Sequence, residues 1–217
     1  MVREIGQSMS LSHTSYQLIK SREAIVIDVR DPSEFATGHI EGSISLPFSE
    51  KGINERLSAL INQGTKVVIL ASASQQSESA SQQLSDGTFQ VVDIIDDIDI
   101  ALSKLEATAL VTPEVSLDDL TGSNRDTSML VLDVREPIEW EMGHVPGALL
   151  ISLGTLRDHI NEIPSHNKIA VICEAGLRSS TAASILESSG FTNVANVPDG
   201  TGGYRNAGLP LEYYSDE

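Results

Sequence analysis

"IDVRDPSEFATGHIEGS", residues 27–43, returns 105 residues later as "LDVREPIEWEMGHVPGA", residues 132–148. Identical residues stand at Asp28/Asp133, Val29/Val134, Arg30/Arg135, Pro32/Pro137, Glu34/Glu139, Gly38/Gly143, His39/His144 and Gly42/Gly147, while Phe35/Trp140 and Ile40/Val145 match in kind. Glycines at fixed places demand a shared backbone path, so the chain is a structural duplication. The repeat resumes at an offset of 102, where "TKVVILASASQQSESASQQL" (65–84) faces "NKIAVICEAGLRSSTAASIL" (167–186) and "GTFQVVDII" (87–95) faces "SGFTNVANV" (189–197). The first copy carries its extra residues around "SEKGINERL".

In the second copy the expected strands are "MLVLDV", "ALLIS", "KIAVIC" and "VANV", and the expected helices are "PIEWEM", "GTLRDHINEI" and "SSTAASILESS". Val- and Ile-rich strands with little alternation, separated by helices, imply a parallel sheet covered on both faces. The fold class is α/β, built twice, each copy a small parallel sheet flanked by helices on both faces. The proline of "TPEVS" and the weak periodicity around it set the division within 100–113. The expected domains are residues 1–107 and 108–217.

The chain has 31 acidic and 14 basic residues and a formal charge of −17. Such a surface repels nucleic acid and anionic lipid, so neither is an expected partner. The apolar runs "VVIL" and "IAVIC" fall far short of the roughly 18 residues of a transmembrane helix. The start, "MVREIGQSMSLSHTS", has no apolar core of a signal peptide. A single cysteine excludes an intrachain disulfide and fits a reducing compartment, most simply the cytoplasm. His13, His39, His144, His159 and His166 form no close cluster with metal-ligand spacing, so no metal and no other cofactor is expected.

The one cysteine, Cys173, opens "CEAGLRSS" (173–180). A free cysteine ending a buried strand is most often a small core hydrophobe. Its successors argue otherwise. Sites of parallel α/β sheets form at the carboxyl ends of strands. A turn from strand into helix gathers backbone N–H groups and the positive end of the helix dipole into one concavity. Those donors favour a thiolate. Gly176 lets the loop curl, and Arg178 adds a permanent, forked positive charge. The stretch reads as an anion cradle, Glu174, Ala175, Gly176, Leu177 and Ser179, with a nucleophile at its floor.

Cys-Glu-Ala-Gly-Leu-Arg-Ser resembles the active-site loop of the rhodanese family of sulfurtransferases. "DVREPIEWEMGHVPGA" is similar to the segment that precedes that loop, and "VANVPDGTGGYRNAGLPLE" to the segment that closes the domain. The resemblance covers nearly all of 113–214, and the first copy apart from its loop. It implies a reaction in which Cys173 takes the outer sulfur of thiosulfate or a persulfide. The resulting cysteine persulfide then passes that sulfur to cyanide, a thiol or a protein cysteine. It makes Cys173 and Arg178 the catalytic residues. A displacement at sulfur needs a thiolate, and a persulfide anion needs dense hydrogen-bond donation. Dual-specificity phosphatases and related arsenate reductases share this fold, but their arginine lies six places after the cysteine. Here the step is five, which makes a cup sized for one sulfur atom and ranks phosphatase below sulfurtransferase.

Two roles stand open for Asp133 and Arg135: bracing the loop arginine or the cup, or satisfying backbone donors at a strand end. His144 reads as a packed turn histidine and Trp140 as core. Glu174 departs from the pattern, since an inward carboxylate there repels dianionic thiosulfate. In the first copy Ala71 faces Cys173, Ser74 faces Gly176 and Gln76 faces Arg178, while Ile98, Ile100 and Ala101 face Gly200, Gly202 and Gly203. That copy is expected to be catalytically inactive, a structural and docking partner of the second. The competing reading makes the whole chain a non-catalytic sulfur-delivery or docking module.

Overall fold

A computed structural model describes residues 12–85, 88–121, 128–164 and 167–213. His166 and the first eleven residues, read above for metal spacing and for a signal peptide, lie outside them. The chain divides into two compact units, Met1–Leu110 and Val111–Glu217.

The first unit runs α1 (His13–Lys20), β1 (Ala24–Asp28), α2 (Pro32–Thr37), β2 (Ile44–Ser45), α3 (Ile53–Ser58), β3 (Lys66–Leu70), α4 (Ser74–Leu84), β4 (Gln90–Ile95) and α5 (Ile98–Leu105). The second runs β5 (Leu130–Asp133), α6 (Pro137–Glu141), β6 (Leu149–Leu150), β7 (Ile169–Ile172), α7 (Leu177–Ser188), β8 (Val194–Asn196) and α8 (Gly200–Asn206). The sheets have orders β2-β1-β3-β4 and β6-β5-β7-β8, with every pairing parallel. Among the described residues no helix is long and apolar enough to cross a membrane.

The central strands "KVVIL" and "IAVI" are buried nearly throughout, as a sheet covered on both faces requires. One apolar cluster of each unit gathers at its sheet, around Val68, Leu70 and Ile95 in the first and Val131, Ile172 and Val197 in the second. Both copies of the repeated motif start a helix with a proline in the first turn and a reciprocal cap, Asp31 with Glu34 and Glu136 with Glu139. Each unit is closed by a returning segment. Leu110 exchanges two backbone hydrogen bonds with His39, and Glu212 does the same with His144. A division after residue 107 would cut the first of these bridges away from its unit.

The expected helix "GTLRDHINEI" is instead two 3-10 turns, Leu153–Thr155 and Ile160–Glu162. Only Leu156 and Ile163 of this stretch anchor it in the core, and Gly154 weakens its first turn. Helix α7 begins at Leu177, ahead of the expected Ser179, so Arg178 lies in its first turn. The glycine-rich "GTGGYRN" forms α8, a helix that its composition conceals.

Candidate functional site

In the second unit the chain leaves β5 for the edge strand β6 and returns to β7 on the other side of β5. That reversal opens a crevice at the carboxyl ends of β5 and β7. Asp133 ends β5, and Cys173 directly follows β7.

Cys173 is 1% exposed. Its Sγ lies 3.4 Å from the Ser179 hydroxyl, which the first turn of α7 presents. Gly176 caps this helix with φ +81°. A Cβ at Gly176 would stand 2.5 Å from the Pro198 carbonyl oxygen, so only glycine fits there. The first turn of α8 holds the loop from the other side. Thr201 N–H donates to the Cys173 carbonyl at 2.7 Å, and Gly202 N–H donates to the Glu174 carbonyl at 3.0 Å. With its carbonyls engaged, the loop keeps its donors. Among the described residues, the backbone N–H groups from Glu174 to Ser179 have no acceptor within the protein. They are the orphan donors of a helix start and the loop before it, an arrangement that binds anions.

The charged side chains are paired around this loop. Arg178 donates Nη1 and Nη2 to the two carboxylate oxygens of Glu139, each at 2.6 Å. Arg178 holds the Glu139 carboxyl down at about 2. In return Glu139 pushes the Arg178 guanidinium further up, with the nearby Cys173 and Asp133 adding to it. Asp133 and Arg135 form a fully buried pair at 2.7 Å, and Arg135 also donates to the Gly143 carbonyl. Asp28 and Arg30 repeat this pair in the first unit, with Gly38 in place of Gly143. The recurrence makes the pair part of the fold. In the second unit its arginine reaches on, with Nη1 3.6 Å from Glu174. The other Glu174 oxygen accepts from Arg205 of α8 at 2.5 Å.

The loop arginine is therefore braced by Glu139, not by Asp133 or Arg135. Glu139 carried a signal in the sequence: it recurs as Glu34 in a motif whose other residues are backbone and core. Glu174 does not stand alone over the cup but lies between two guanidinium groups. Glu139 and Arg205, the latter hidden in a glycine-rich stretch, are the residues that sequence reasoning missed. His144 stacks on half-buried Trp140 at 3.4 Å and bonds the Trp140 carbonyl through Nδ1, and His39 repeats this on Phe35, so both histidines are packed turn residues.

The first unit differs at each of these points. Ala71 fills the place of Cys173 and is buried. Helix α4 starts at Ser74, and Gln76 N–H already donates to the Ala73 carbonyl. The Ser77 hydroxyl, the counterpart of Ser179, turns back to the Ser74 carbonyl. Glu34 accepts from the Ser72 hydroxyl in place of an arginine.

The Rhodanese-like domain family matches the chain twice, over residues 13–97 and 116–207. YrkF of Bacillus subtilis (strain 168), named as a candidate sulfur carrier protein, is 39% identical over 89 residues, which are 41% of this chain and 48% of YrkF. The chain thus spans about half the length of that relative. A sulfurtransferase of Allochromatium vinosum is 29% identical over 99 residues, covering 45% of this chain and 92% of the relative. A rhodanese-related protein of Thermoplasma volcanium has a solved structure that is 29% identical, covers 47% of this chain and 99% of its own, and aligns with a TM-score of 0.44. With both halves matched, the chain belongs to the rhodanese family and carries two of its domains in tandem.

Proposed function

We propose that the second domain is a sulfurtransferase that carries sulfur as a persulfide on Cys173. The observation that supports this most is the loop around that sulfur: a buried thiol at the end of β7, beneath a turn whose N–H groups have no acceptor among the described residues. Cys173 Sγ attacks the outer, sulfane sulfur of the donor, a new S–S bond forms to Cys173, and the old bond breaks with its electron pair on the leaving group. Thiosulfate leaves as sulfite; an organic persulfide leaves as its thiolate. The terminal sulfur on Cys173 is then an anion, and the loop's amides and the dipole of α7 stabilise it. An acceptor thiolate or cyanide attacks that terminal sulfur and regenerates Cys173. Glu139 is a positioning residue in this scheme, because it fixes Arg178 at the start of α7.

The first domain has neither the thiol nor the free loop amide at Gln76, and we assign it no sulfur of its own. Intact mass after exposure to a sulfane donor tests the proposal. The protein should gain one sulfur, and Cys173→Ser should gain none while keeping its fold. An unmodified wild-type mass, or turnover by Cys173→Ser comparable to wild type, overturns it.

A further inference from the structure

Each guanidinium group at the mouth of the cup already has a carboxylate. Arg135 is paired with Asp133, Arg178 with Glu139 and Arg205 with Glu174. Arg178 and Arg205 are partly exposed, at 35% and 43%, and would otherwise be the cations open to an arriving anion. A dianion entering this mouth must displace a carboxylate from one of them or face that carboxylate directly. A sulfite leaving group needs the same cations for its two charges. A persulfide donor, R–S–S⁻, brings one charge to the sulfur end, which the loop amides can receive, and leaves as a thiolate that a single proton neutralises.

The rim beside the arginine is apolar. Ile138 on α6 and Met142, the residue that caps its C-terminal end, are 66% and 68% exposed; Leu177, next to Arg178, is 50% exposed. The bidentate Arg178–Glu139 pair ties α6 to the start of α7, so the short segments that carry these side chains are held next to each other. Their counterparts in the domain without a thiol are Ser33, Thr37 and Gln75, which are also exposed. The same surface positions are polar where no sulfur is handled and apolar where the cysteine is. Exposed apolar side chains at a site mouth favour a ligand with a carbon skeleton.

We infer that the donor of this domain is an organic persulfide, the persulfidated cysteine of a peptide segment, and not inorganic thiosulfate. The inference rests on the proposed function. In the step, Cys173–S⁻ and R–S–S⁻ give Cys173–S–S⁻ and R–S⁻: one S–S bond forms, one breaks, and no outside oxidant or reductant is needed.

The test measures the rate at which Cys173 gains sulfur, by intact mass, from thiosulfate and from a short cysteine-persulfide peptide with an apolar residue beside the cysteine. Glu174→Gln should raise the thiosulfate-to-peptide rate ratio about fivefold, through faster thiosulfate loading, and added salt should shrink that gain. The surface variant Ile138→Ser with Met142→Thr, which installs the first domain's residues, should raise the same ratio about threefold through slower peptide loading. An unchanged ratio in either variant overturns the inference. Loading of Cys173 by either donor is what the proposed function requires, and the ratio is what this inference requires, so the two fail separately; no loading from either donor removes both.

Discussion

Arg178 and Glu139 meet fork to fork, Nη1 on Oε2 and Nη2 on Oε1, each at 2.6 Å. The same carboxylate caps α6 by accepting from the Glu136 N–H at 3.1 Å. One side chain therefore starts α6 and fixes the first turn of α7 beside the thiol. Two parallel charge-assisted bonds specify an orientation that a point charge cannot. Glu139→Gln keeps a capping oxygen but loses one arm of the fork and the charge. Sulfur loading of Cys173 should fall about tenfold in this variant. Arg178→Lys should fall similarly, because an ammonium cannot form the fork. Loading rates within twofold of wild type in both would mean that α7 is placed by packing alone.

The pair also predicts a pH dependence. Arg178 lowers Glu139 from 4.5 to about 2, so the folded value lies below the unfolded one. The stabilisation is complete above about pH 4.5 and is lost as pH falls through about 2. It amounts to no more than about 1 kcal/mol, since both side chains are partly exposed and water screens the pair. Urea unfolding of wild type and Glu139→Gln should differ by a constant amount near neutral pH. That difference should shrink steadily as acid is added, and one that does not change with pH would place the effect elsewhere.

Gly176 is a second pressure point. Its φ of +81° is left-handed backbone, and a Cβ would press on the Pro198 carbonyl 2.5 Å away. Gly176→Ala should destabilise the second domain by about 1–3 kcal/mol. It should also slow sulfur loading, because the turn at Pro198 and the loop must separate to admit the methyl group. Gly154 has nothing within 4 Å of its Cβ position and no left-handed φ. Gly154→Ala should therefore stay within about 0.5 kcal/mol of wild type in the same urea titration.

These residues also mark how far the sequence could be read. The duplicated motif carried the fold, because its glycines, proline and Asp–Arg pair have one job each and recur in register. Cys173 and its loop stood out for a related reason: the one cysteine, a glycine and an arginine lay together within one turn. The partners of that loop were not legible. Glu139 lies 39 residues before Arg178 and Arg205 lies 31 after Glu174, and nothing local signals that either reaches the loop. Helix α8 was hidden because its glycines, unfavourable in a helix, are there to let its backbone approach Cys173 and Glu174. The helix expected in "GTLRDHINEI" failed for the opposite reason: its local pattern looked helical while only Leu156 and Ile163 found a core to bury in.

The first domain permits a direct trial of which features make the site. Ala71→Cys restores the thiol at the end of β3 but leaves the rest unchanged. Gln76 N–H stays tied to the Ala73 carbonyl, the Ser77 hydroxyl to the Ser74 carbonyl, and Glu34 to Ser72. No glycine bends the turn, and no arginine meets Glu34. In a Cys173→Ser background, so that only the first domain can react, Ala71→Cys should gain no sulfur from a donor that loads wild type. Replacing residues 71–77 with the second domain's Cys-Glu-Ala-Gly-Leu-Arg-Ser should restore part of the loading. It supplies the thiol, the left-handed turn and the arginine for Glu34 together. The restoration should stay incomplete, since Ile98 and Ile100 stand where Gly200 and Gly202 let α8 close on the loop. Their side chains would meet the new loop's backbone, where a Cβ at Gly200 already comes within 2.4 Å of the Glu174 carbonyl oxygen. Full loading by the single Ala71→Cys variant would show that a thiol at a strand end suffices, and that the loop's shape and charge are incidental.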